Sequence, residues 1–160
     1  MSETLELHLV VNGETVRRRV RVRQSLADFL REDLGLTGTR VGCEHGVCGA
    51  CTLRIDGAIA RSCLVFAAQV DGAHVETIEG LSDSGEIADL QAAFRARNAL
   101  QCGYCTAGVL VTAAELLRAE RAPSRAEIRE LLSGNYCRCT GYHAIVDAVE
   151  QVCRLRVAQG

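Results

Sequence analysis

Apolar and polar residues alternate at the start of the chain: Leu5, Leu7, Leu9 and Val11 stand between polar neighbours, and Val16, Val20 and Val22 recur at even spacing. Asn12-Gly13 separates the two runs and supplies a tight turn, so the pattern predicts a hairpin of paired strands. Ser25 is placed to cap a short helix that carries Leu26, Phe29 and Leu30 on one face. A glycine-dense stretch, GLTGTRVGCEHGVCGAC (35–51), then predicts irregular backbone held close to something. Beyond it come Thr52-Leu53-Arg54-Ile55, an Asp56-Gly57 turn, and strands expected at 60–65 and 74–78. Together these describe a small half-barrel α+β unit ending near residue 79.

The period then changes from two to 3.6. Helices are expected over 87–100 and 106–121, and a third runs to Leu132 from the capping box of Ser124 and Glu127 behind Pro123. A fourth, over 142–157, carries Ile145, Val146, Val149, Val152 and Cys153 at helical spacing. Four helices in this half predict a compact bundle. The acidic, glycine- and serine-containing stretch 79–86 reads as a linker, giving two domains, 1–79 and 80–160.

Composition narrows the chemistry. A chain of 160 residues can bury a real core but is small for binding a dinucleotide and a substrate unaided. All 18 basic residues are arginine, which excludes lysine chemistry such as Schiff bases and P-loop phosphate binding. With a net charge of −2, three Phe and three Tyr, nucleic-acid binding has neither a basic face nor stacking aromatics behind it. The N-terminus lacks the basic and apolar regions of a signal peptide, and no run approaches the ~20 apolar residues of a membrane span. The chain therefore reads as cytoplasmic, where thiols stay reduced and clustered cysteines bind metal.

The nine cysteines fall into two groups and a remainder. Cys43-x4-Cys48-x2-Cys51, followed by Cys63, has the plant-type [2Fe–2S] spacing, in which three thiolates from one glycine-rich loop converge with a fourth from a neighbouring strand. The second group, Cys102-x2-Cys105 and Cys137-x-Cys139, places two short pairs at expected helix starts, where N–H groups favour thiolates. Spacing leaves this second site open between Zn(Cys)4 and iron–sulfur; its companion loop draws it toward iron. Cys153 lies on the apolar face of the last helix and reads as a packing thiol. Cys43-Glu44-His45 imitates half a Rieske pattern, but no histidine follows Cys51 or Cys63 to complete it, so His45 reads as a loop residue. His8 and His74 read as surface residues and His143 as a helix-end residue. There is no dinucleotide or P-loop fingerprint and no hydrolytic motif. Two redox centres without a substrate pocket describe a wire.

Three segments, GCEHGVCGACTLRIDG (42–57), LQCGYCTAG (100–108) and GNYCRCTGYHAIVDAV (134–149), resemble the iron–sulfur subunit of the molybdenum hydroxylases, the family of xanthine dehydrogenase, aldehyde oxidase and carbon monoxide dehydrogenase. The resemblance runs from about Leu5 to Val157. It implies an N-terminal β-grasp plant-type ferredoxin domain followed by a four-helix bundle, with a [2Fe–2S] cluster in each. It further implies a large molybdopterin-binding subunit beside the bundle cluster and a medium FAD-binding subunit beside the other, in a heterotrimer or its dimer. Electrons would pass from molybdenum to flavin while a substrate carbon is hydroxylated with oxygen from water. By the same resemblance Gln101 and the Cys139 sulfur contact the pterin. Ala107 stands where the family usually has proline, and the family usually has methionine near Val109; neither position is a ligand. Arg17-Arg18-Arg19 has no apolar region after it, so it does not match the twin-arginine signal of some relatives. The EHGVCGAC loop is similar to those of N-heterocycle and purine hydroxylases; aldehyde and carbon monoxide oxidation stay open. So do a zinc-stabilised interaction module and a free-standing ferredoxin.

Overall fold

The computed structural model describes residues 3–118 and 121–159. Strands β1 (Thr4–Val11) and β2 (Glu14–Arg21) pair antiparallel through the expected turn, with Asn12 and Gly13 at φ 51° and 85°. Helix α1 (Leu26–Asp28) continues as a π-helical turn over Phe29–Asp33, and the Ser25 hydroxyl accepts the Asp28 N–H at 3.0 Å. Strands β3 (Thr52–Ile55) and β4 (Ala58–Arg61) form a second hairpin, and β5 (His74–Glu76) inserts between the two hairpins. The sheet order is β2-β1-β5-β3-β4, and among the described residues only β1 and β5 pair parallel. The alternating residues Leu7, Leu9, Val11 and Val20 bury one face against Leu26, Phe29 and Leu30.

The second half is helical: α2 (Ile78–Asp83), α3 (Ala88–Ala96), α4 (Thr106–Ala114) with a 3-10 turn over Glu115–Arg118, α5 (Arg125–Leu132) and α6 (His143–Gln159). Its core joins Leu90, Phe94, Val111, Ile128, Val146 and Val149. The whole is a mixed α+β fold. No helix among the described residues is long and apolar enough to cross a membrane.

The structure corrects several boundaries. Much of the expected linker 79–86 is α2, because Leu81 is buried in the helical core and draws the segment onto it. The strand expected at 60–65 stops at Arg61: both the N–H and the hydroxyl of Ser62 donate to the Cys51 carbonyl, rolling the chain into a 3-10 turn that carries Cys63. The helix expected over 87–100 ends at Ala96, where Asn98 turns left-handed (φ 51°) and Ala99 N–H returns to the Phe94 carbonyl. The helix expected over 106–121 changes to 3-10 geometry after Ala114, and its residues 119–120 lie outside the described residues. Tyr142 (φ 70°) precedes α6 rather than opening it.

Helix α4 packs on β3, and there Arg54 is fully buried. Its guanidinium grips Glu86 with both terminal nitrogens (2.8 and 3.1 Å) and donates from Nε to Glu115 at 2.7 Å, tying the sheet to the helical half. The Arg54 hydrogen bond holds the Glu86 carboxyl below its ordinary 4.5. A carboxyl so lowered stabilises the fold above its unfolded value and loses that contribution as pH falls through the folded one. Replacing Arg54 with methionine is expected to cost about 2 kcal/mol, the buried-pair figure reduced because both carboxylates keep some solvent. That corresponds to roughly 4–8 °C in Tm. The substitution also flattens the pH dependence of stability below pH 4.5, as thermal melts at stepped pH will show.

Candidate metal centres

The first cysteine loop runs between α1 and β3 without regular structure, and its backbone turns left-handed at Glu44, Gly46 and Gly49. Both Gly46 and Gly49 have positive φ, and a Cβ at Gly49 would also collide with the Gly134 carbonyl, whereas one at Gly46 would meet only the exposed Leu64 side chain, which can swing aside. The loop brings Cys43 and Cys48 together, with Cys48 N–H donating to Cys43 Sγ at 3.4 Å. That backbone donor, followed by His45 N–H, draws the Cys43 thiol down to about 6. Cys63, carried by the 3-10 turn, faces Cys51. Burial, and then that sulfur, push its thiol up to about 11.

The second group converges from two corners. Cys105 is the N-cap residue of α4, with Cys102 in the loop before it. Cys137 and Cys139 lie in the coil ahead of α6 rather than at a helix start, held by Tyr142, whose hydroxyl accepts Cys137 N–H at 2.8 Å and donates to the Asn135 carbonyl at 3.0 Å. The sulfurs of Cys139 and Cys102 stand 3.6 Å apart. Cys105 faces Cys137, and burial followed by that neighbour pushes its thiol up to about 12. Burial opposes the Cys137 thiolate too, but the Thr140 hydroxyl, 3.1 Å from its sulfur, helps carry it below the ordinary value. Gln101 Nε2 donates to the Cys139 carbonyl at 3.0 Å, closing one corner onto the other.

Both centres offer thiolates alone, a donor set that suits zinc or an iron–sulfur cluster. A tetrahedral Zn(Cys)4 site with bonds of about 2.3 Å brings every sulfur within about 3.8 Å of every other. Here the Cys102 and Cys139 sulfurs stand 3.6 Å apart, and the strongest thiol neighbours elsewhere are Cys48 for Cys43, Cys51 for Cys63 and Cys137 for Cys105. Among the described residues no group of three or more Cys, His, Asp or Glu is arranged to hold a single ion. Two facing pairs suit a two-iron rhomb in which each iron takes two thiolates. Thiols that hinder one another's ionisation suit a cationic centre, which reverses that penalty. The residues fit the group.

The two centres touch through backbone. Tyr136 N–H donates to the Cys48 carbonyl at 2.8 Å, and buried Asn135 donates from Nδ2 to the Gly49 carbonyl at 3.1 Å. The Tyr104 hydroxyl, from the second group, reaches the Val41 carbonyl at 2.7 Å with the Arg40 guanidinium over its ring. Arg61 Nη2 donates to the Gly134 carbonyl at 2.8 Å. Arg61, Tyr104 and Asn135 had no sequence signal beyond lying near cysteines. The remaining residues lie outside both centres: Cys153 is buried in the helical core, His8 and His74 are exposed, and His143 opens α6 near Asp147. His45 sits in the first loop with Nδ1 on the Cys43 carbonyl.

Two family models match the chain: a 2Fe-2S iron-sulfur cluster binding domain over residues 9–81 and a [2Fe-2S] binding domain over 77–150. The chain is 55% identical to the nicotine 6-hydroxylase small subunit of Paenarthrobacter nicotinovorans, over 92% of this chain and 89% of that one. It is 52% identical to the caffeine dehydrogenase subunit gamma of Pseudomonas sp. (strain CBB1), over 91% and 89%. In structure it is similar to a chain of quinoline 2-oxidoreductase from Pseudomonas putida 86, with TM-score 0.86, 49% identity and coverage of 96% of this chain and 98% of that one.

Proposed function

The chain belongs to the iron–sulfur (small) subunits of the molybdenum hydroxylase family, and from that premise we propose that Cys43, Cys48, Cys51 and Cys63 hold one [2Fe–2S] cluster and Cys102, Cys105, Cys137 and Cys139 the other. The chain is the electron-transfer subunit of such a complex. When bound, the two clusters supply one-electron carriage between a molybdopterin centre on a large subunit and FAD on a medium subunit. The observation that carries the assignment is the match of a 2Fe-2S iron-sulfur cluster binding domain over residues 9–81 and a [2Fe-2S] binding domain over 77–150, each spanning four of the eight cysteines.

The chain's own residues hold, shield and present. Backbone N–H groups and the Thr140 hydroxyl stabilise thiolates at Cys43 and Cys137. Cys102, Cys139 and Gln101 are exposed at the second centre, which supports contact of Gln101 and the Cys139 sulfur with the pterin of the large subunit. Gln101 gives its amide N–H to the Cys139 carbonyl and so presents both residues on one surface. At the first centre Val47, Leu64 and Phe66 are exposed apolar residues (45%, 60% and 48%), which supports docking of the FAD-binding subunit there. The sheet order, with its central parallel pair, supports a β-grasp assignment for residues 1–79. Helices α3, α4, α5 and α6 around one core support a four-helix bundle in 80–160. Val75 belongs to the first core and Leu81 to the second, in keeping with that boundary.

The three relatives above act, by their names, on nicotine, caffeine and quinoline. Each is a nitrogen heterocycle, so the complex is assigned a nitrogen-heterocyclic substrate, with a heterotrimer or its dimer as the assembly and the cytoplasm as its place. Purified with its partner chains, the protein is expected to be red-brown, to bleach with dithionite and to give two distinct electron spin resonance signals on reduction. A colourless protein containing zinc overturns the assignment. Purification without molybdenum- and flavin-binding chains overturns the place in a complex.

A further inference from the structure

Arg61 is the last residue of β4 and stands opposite Thr52 in the ladder, so it lies one residue from Cys51 across the strands and two from Cys63 along the chain. Its Nη1 donates to the Thr52 hydroxyl and its Nη2 to the Gly134 carbonyl at 2.8 Å. From Gly134 the chain passes through Asn135 and Tyr136 to Cys137, and Tyr136 N–H returns to the Cys48 carbonyl at 2.8 Å. The guanidinium is therefore lodged between the two cysteine groups. Gly134 admits it: a Cβ there would stand 2.7 Å from Nη2.

Both acceptors are neutral oxygens. Arg54, Arg125 and Arg156 each engage carboxylates, whereas among the described residues no carboxylate forms an ion pair with Arg61. A half-buried guanidinium loses hydration that neutral acceptors only partly replace. Two anionic centres at its sides replace the rest: two Fe(III), two sulfides and four thiolates sum to about −2 at each. Reduction adds one electron to a centre, breaks no bond and raises its negative charge by one. A fixed neighbouring cation stabilises that product more than the oxidised form.

We propose that Arg61 sets the electron affinity of both centres, its uncompensated charge raising the two reduction potentials together. The inference rests on the cluster assignment made above. It is tested in the assembled complex carrying Arg61→Gln, Arg61→Lys or Gly134→Ala. Each is titrated anaerobically with dithionite as the electron donor, following both spin resonance signals and measuring iron and sulfide content. Arg61→Gln is expected to lower the equilibrium constant for reduction roughly tenfold at both centres, about 59 mV for one electron, with iron and sulfide unchanged. Arg61→Lys keeps the charge and is expected to recover more than half of that loss. Gly134→Ala displaces the guanidinium and is expected to shift both centres the same way by a smaller factor, so the inference is testable even where Arg61→Gln fails to assemble. Unchanged potentials in Arg61→Gln or in Gly134→Ala, or a lysine variant no better than glutamine, overturn it. Loss of both signals and of iron in the unsubstituted complex overturns the cluster assignment instead.

Discussion

Replacing Cys105 with alanine is expected to abolish one of the two electron spin resonance signals and about half of the bound iron, leaving the other signal in place. Cys105 is the most burdened thiol of its group, pushed up to about 12 by burial and by the facing Cys137 sulfur. Only a cationic metal centre makes its thiolate stable there, and without it Cys137 loses the partner that completes one sulfur pair. The first centre draws nothing from Cys105. The four cysteines assigned to it lie in the loop before β3 and the turn after β4. Turnover of the complex with substrate is expected to fall by orders of magnitude, because the remaining centre has no neighbour to exchange electrons with. Simultaneous disappearance of both signals contradicts the division of ligands into two sets of four.

Replacing Gly49 with alanine is expected to be nearly as severe, for a different reason. Gly49 has φ 74°, and an added Cβ collides with the Gly134 carbonyl and crowds the Asn135 amide, all backbone or buried groups that cannot swing aside. Left-handed strain of about 1–2 kcal/mol adds to an overpacking cost of about 1–3 kcal/mol. A loss near 3 kcal/mol corresponds to roughly 6–12 °C in Tm for a chain of this size. The collision falls at the junction of the two centres, where Gly49 O accepts from Asn135 and the Cys48 carbonyl accepts from Tyr136. Gly57→Ala serves as the control: φ is 80° there too, but nothing lies within 4 Å of the added Cβ, so only strain remains. Equal melting shifts for the two variants contradict the collision.

The paired strands and the Ser25 and Ser124 caps were legible because each rests on neighbours in sequence. Ser124 and Glu127 cap one another within one turn, and the Asn12-Gly13 and Asp56-Gly57 turns need only the φ values their residues tolerate. The misplaced boundaries share a cause. The segment 79–86 is acidic and rich in glycine and serine, yet Leu81 makes part of it helix by entering a core assembled from distant residues. The strand at 60–65 stops early because Ser62 finds the Cys51 carbonyl across the hairpin. The burial of Arg54 has no sequence signal, since nothing nearby in sequence reveals that Glu86 and Glu115 will meet it at the junction of the two halves.

By itself, the order of residues determined that the cysteines fall into two groups, one in a stretch of strand period and one in a stretch of helical period, because spacing and hydrophobic period are local properties. Which sulfurs face each other, and that Arg61, Asn135 and Tyr136 stand between the centres, were decided only by the tertiary structure. Those hydrogen bonds join residues 73, 86 and 88 positions apart. Such distances are closed by burying one core against the other, and no local pattern records which backbone groups that burial brings into hydrogen-bonding reach.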